Sequence, residues 1–115
     1  MSYKLTSLYG LPHGHAVAVC LPEVWEYMLG HMDKCVDGRG TEHLKRTLDE
    51  ISEQITCGEF REIMLRLGMR KPSAGDREHE LDILVGAVNP VRLKNNPVGL
   101  DEEAIRSIYE KIVLK

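Results

Sequence analysis

Five histidines and three cysteines are the groups of this 115-residue chain best suited to ligate a metal or move a proton near neutral pH. His13 stands apart from the others by its neighbours. Pro12 before it has a fixed φ and no N–H, and Gly14 after it lets backbone or ligand approach closely. Leu11-Pro12-His13-Gly14 therefore reads as a rigid turn that aims an imidazole, and a neutral imidazole so held is a common metal ligand. Two readings stay open: a metal ligand, or a ring whose nitrogens bond neighbouring backbone. A single histidine cannot complete a metal site in either case. His15 lies two residues further on, a spacing that turns the two rings apart on a helix and argues against a two-histidine clamp. It lines a substrate cleft or bonds local backbone. His31, His43 and His79 sit among charged residues and read as solvated.

The elements that must position His13 are helical. Leu5, Leu8 and Tyr9 fall on one side of a first helix stopped by Gly10 and Pro12. That helix has no N-cap of its own, which predicts that the natural segment extends upstream. A second helix is expected from about His15 to Leu29, with Pro22 inside it as a kink or break. Its first half, Ala16 to Leu21, is apolar on every side and is expected to be buried all round. Val24, Trp25, Met28 and Leu29 line one side of the rest, and Gly30 ends it. A polar connector over residues 31–40 leads to Thr41, read as the cap of an amphipathic helix carrying Leu44, Leu48, Ile51 and Ile55.

Thr56-Cys57-Gly58-Glu59 fits a capping box, opening a helix with Phe60, Ile63, Met64 and Leu67 inward and Gly68 at its close. Pro72 to Gly75 is a loop. Leu81, Leu84, Val85 and Val88 are in register on a helix over 78–89 that Pro90 ends. After a loop to Leu100, Asp101 caps a last helix burying Ala104, Ile105, Ile108 and Ile112. The fold class is all-α: one domain, an irregular bundle of five to six short helices.

Composition narrows the function. A formal charge of −3 gives no electrostatic case for nucleic acid or an anionic membrane. No apolar run reaches the roughly 18 residues of a membrane span, and the start lacks a signal-peptide layout. Cys20, Cys35 and Cys57 are an odd set without a CxxC pair, so neither a zinc module nor a disulfide framework is indicated. Cys20 falls in the apolar run as a small hydrophobe. Reduced thiols in a cytoplasmic protein are the simplest reading.

Pro12-His13-Gly14, then Ala16 to Cys20, then Leu21-Pro22-Glu23-Val24 resemble the C-terminal helical domain of the iron-containing (group III) alcohol dehydrogenases. Those enzymes carry a pHG turn and a helix ending in LLPxV. Asn95-Asn96-Pro97 and Asp101 to Ile105 resemble the family's closing NP element and acidic-start helix, so the likeness spans essentially the whole chain. Met1 to Thr6 before Leu8-Tyr9-Gly10 is similar to the branch that reduces phosphonoacetaldehyde.

The resemblance implies a fold and a chemistry. His13 matches the family's metal histidine, one of four ligands to Fe²⁺ (sometimes Zn²⁺) formed by an aspartate and three histidines. The metal polarises the substrate oxygen while NAD(P)H exchanges hydride with the carbon of a small aldehyde or alcohol. The family's other ligands precede Met1, and no glycine-rich cofactor loop occurs here, so the chain reads as a fragment without the N-terminal α/β domain and inactive by itself. Tyr3 stands where many members carry a second histidine near the substrate, and a tyrosine is a poor proton shuttle at neutral pH. Tyr3 and His15 are thus the substrate-side candidates, with packing the alternative for Tyr3. A phosphonate group would need cationic or N–H donors; Lys4, Arg39, Arg92 and Lys94 could supply charge, but each reads better as solvated, as do Arg70, Lys71 and the 106–111 charges. A fragment bares an interdomain face, which predicts self-association. The competing reading is a stand-alone helical interaction module without catalysis.

Overall fold

The computed structural model describes residues 1–88 and 96–114. Six α-helices occur among them: α1 (Ser2–Tyr9), α2 (His13–Gly30), α3 (Thr41–Gln54), α4 (Cys57–Arg66), α5 (Arg77–Gly86) and α6 (Glu102–Ile112), with a 3₁₀ turn at Met32–Lys34. The all-α expectation holds. Pro90, Arg92, Lys94, Asn95 and the end of the helix expected to reach Asn89 lie outside the described residues.

Local chemistry fixes most boundaries. Gly10 takes φ +69°, and its N–H returns to the Thr6 carbonyl at 3.0 Å, ending α1. Thr56 and Glu59 form the reciprocal capping box, both bonds at 3.1 Å. Asp101 accepts from the Ala104 N–H at 2.7 Å, and Asp76 caps α5 in the same way. Thr41 is not a cap: it is the first helical residue of α3, and Gly40 at φ +91° turns the chain into the helix before it. The left-handed backbone there is open to glycine at little cost.

α2 is the spine. It begins at His13, two residues earlier than the spacing suggested, and runs on through Pro22 without interruption. Its first half packs Ala16, Val19 and Cys20 into the main core with Leu5, Leu81, Leu84, Ile108, Tyr109 and Ile112. Its second half delivers Trp25 to a smaller core with Leu44, Leu48 and Val98. The run from Ala16 to Leu21 is not buried all round. Val17 is 39% exposed and Leu21 44%, because α1, α4 and α6 pack on other sides of α2 and nothing described covers this one. Isolated bridges tie the remaining segments: Cys35 pairs with Val98, and Ser73 with Leu114.

α4 also departs from expectation. It buries no residue, and Ile63, Leu65 and Leu67 are exposed. A short helix that packs mainly on α2 covers only one flank of itself. Tyr109, which sequence spacing passed over, is fully buried and donates its hydroxyl proton to the Met1 carbonyl, pinning the start of α1 to α6.

Candidate functional site

Pro12 is the N-cap of α2, with φ −56° and ψ 149°, and its carbonyl receives the Ala16 N–H at 3.0 Å. His13 is therefore the first residue of the helix proper. Its side chain is exposed, and it takes no hydrogen bond among the described residues. Gly14 is exposed beside it, and a Cβ built there would meet nothing within 4 Å. Nothing described explains a glycine at this position by crowding. The pair is an imidazole on a rigid mount with open space around it.

The backbone-bonding role considered for His13 belongs instead to His15. Its Nε2–H donates to the Arg70 carbonyl at 2.7 Å, tying the first turn of α2 to the segment after α4. That partner is 55 positions away, not local. Tyr3 is 78% exposed and adds nothing to the described core. His31 is only half exposed: it stacks on Tyr27 with ring centroids 3.8 Å apart and bonds the Tyr27 carbonyl through Nδ1 at 2.8 Å.

The most buried charge is one that the sequence reading passed over. Glu23 is 3% exposed and accepts from Arg61 Nη2 at 3.1 Å and from Lys71 Nζ at 2.9 Å. Arg61 also bonds Glu26, whose carboxyl it holds below the usual range, and Lys71 reaches the Lys111 carbonyl at 2.7 Å. A usable signal existed: Glu23 is a carboxylate inside an apolar run, directly after a helix-interior proline. Arg70 and Lys71 are not a plain solvated pair, since Lys71 closes this network.

Two of the cysteines sit where the thiolate is disfavoured. Burial pushes the Cys20 thiol up to about 12, outweighing the opposing pull of the amino terminus, and burial raises Cys57 as well. Cys57 Sγ donates to the Pro22 carbonyl at 3.2 Å. Among the described residues no three His, Cys, Asp or Glu side chains gather into a metal-ligating cluster. Among the described residues the donors do not fit a closed metal site, and His13 stands apart from any other candidate ligands. No helix described is long and apolar enough to cross a membrane.

Comparison with known proteins agrees with the fold. The family model described as "Fe-containing alcohol dehydrogenase family, C-terminal" matches residues 1–113. A phosphonoacetaldehyde reductase of Streptomyces viridochromogenes is 33% identical over 91% of this chain. The chain spans 28% of that relative's length. No solved structure matches.

Proposed function

From the premise that the chain belongs to the iron-containing alcohol dehydrogenase family through its C-terminal domain, we propose that it works as the metal- and substrate-side part of an iron-dependent, NAD(P)-linked reductase of small aldehydes. Phosphonoacetaldehyde is the favoured substrate, by similarity to the reductase of that name. The remaining ligands and the cofactor site would come from residues outside this chain, in a cytoplasmic protein. By itself the chain would be inactive.

The observation that carries this reading is His13: exposed, unbonded among the described residues, and mounted on the first turn of a helix whose base is fixed at Pro12 and His15. His15 and His31 each spend one ring nitrogen on a backbone carbonyl, whereas the ring of His13 makes no hydrogen bond among the described residues. Tyr3, likewise exposed, would face substrate, while His15 holds the first turn in place as a positioning residue.

Titrating Fe²⁺ or Zn²⁺ into the 115-residue chain should give no tight one-to-one site. A tight site that disappears on His13→Ala would mean that this chain holds a complete ligand set. The assignment of His13 to a shared set would then fall.

A specific observation favours a second reading, a helical interaction module. Val17 and Leu21 stand one turn apart on the uncovered side of α2, beside Met1, Val24 and Leu100, in a shallow depression of about 230 Å³ without a charged side chain. In either reading this face should pair with another copy of the chain. Sedimentation should show dimers that Leu21→Lys dissociates. A clean monomer at high concentration would remove this expectation.

A further inference from the structure

A second cleft, of about 560 Å³, opens between α2, α4 and the segment that follows α4. Its floor is Ala18, Val19, Pro22, Met64 and Met69, and Arg61, Arg70 and Lys71 stand around it. Size and lining are those of a small-molecule site: concave, largely apolar, with a few polar groups at one side. Two of its wall residues are methionines, whose unbranched, polarisable side chains adapt to a flexible guest.

Charge then selects the guest. Glu23 holds Arg61 and Lys71, and Glu26 holds Arg61 a second time, so those two cations are compensated. Arg70 makes no ion pair among the described residues, and its backbone is held in place by His15. A carboxylate with an apolar tail matches the lining cation that has no ion pair among the described residues and the apolar floor beside it.

We propose that this cleft binds an amphipathic monoanion, an alkyl carboxylate. The tail lies against Ala18, Val19, Met64 and Met69, and the carboxylate meets the Arg70 guanidinium. The site is separate from His13 and stands or falls independently of the metal reading.

The test is a titration of decanoate, kept below its aggregation concentration, into the full chain labelled with ¹³C at the methionine methyls. The five methionines report different places: Met64 and Met69 the cleft, Met1 the depression beside Val17 and Leu21, Met28 and Met32 the smaller core. Saturable shifts are expected at Met64 and Met69 and not at Met28 or Met32. Decanol should bind about tenfold more weakly than decanoate, the worth of one charge-assisted hydrogen bond. Arg70 is exposed, so R70A should leave the fold intact and bring decanoate down to the level of decanol. Silence at Met64 and Met69, with or without a shift at Met1, would overturn the proposal. So would a decanoate affinity that R70A leaves unchanged.

Discussion

Glu23→Gln should destabilise the domain by about 2 kcal/mol, a substantial part of the 5–15 kcal/mol that holds a typical domain together. The carboxylate is 3% exposed and is reached by Arg61 at 3.1 Å and Lys71 at 2.9 Å, one cation from α4 and one from the segment after it. Removing one member of a fully buried pair costs about 3–5 kcal/mol, because the charge left behind has no water. Here both cations keep 31% of their side-chain surface exposed and can rehydrate, which sets the smaller figure. Glutamine retains one acceptor but turns an amide NH₂ toward one of the cations. Denaturant titration of the two proteins reads the difference directly. High salt should not reproduce the effect, since a pair this buried is poorly screened. A loss below about 0.5 kcal/mol would mean that the network adds nothing beyond what a surface pair does.

Leu5→Ala should cost about 3 kcal/mol, the middle of the range for a large-to-small change in a packed core. Leu5 is fully buried and is the one buried residue of α1. It enters the main core alongside Tyr109, whose hydroxyl holds the Met1 carbonyl of the same segment. Both attachments of α1 therefore depend on one apolar contact region. Amide exchange should show α1 losing protection first, with α2 and α6 following only at the global limit. If the cost stays under about 1 kcal/mol with α1 unprotected in both proteins, α1 is frayed to begin with. Tyr3 would then have no fixed position relative to His13.

Much of the chain was legible because its signals are local. The capping box at Thr56 and Glu59, the Asp101 cap and the Gly10 stop each need only residues within one turn, and a helical turn brings the same atoms together wherever it lies. The failures share the opposite cause. Val17 and Leu21 are as apolar as Ala16 and Val19, and periodicity alone cannot say which side of an apolar helix finds neighbours. Ile63 and Leu67 read as inward-facing on α4, yet among the described residues α2 is the main element that receives that helix and both remain exposed. Thr41 is a good cap by type, but a glycine with positive φ had already made the turn.

The sequence by itself determined the all-α class, most helix boundaries and the Pro12-His13-Gly14 mount with the family it belongs to, since all of these rest on residue types and short spacings. Only the tertiary structure decided how the histidines divide their work, leaving His13 open and giving His15 to the Arg70 carbonyl. It alone buried Glu23 between Arg61 and Lys71 and built a cationic cleft beside them. The physical reason is distance along the chain. Those partners lie tens of residues apart, and their pairing exists only once α2, α4 and the segment behind α4 have packed.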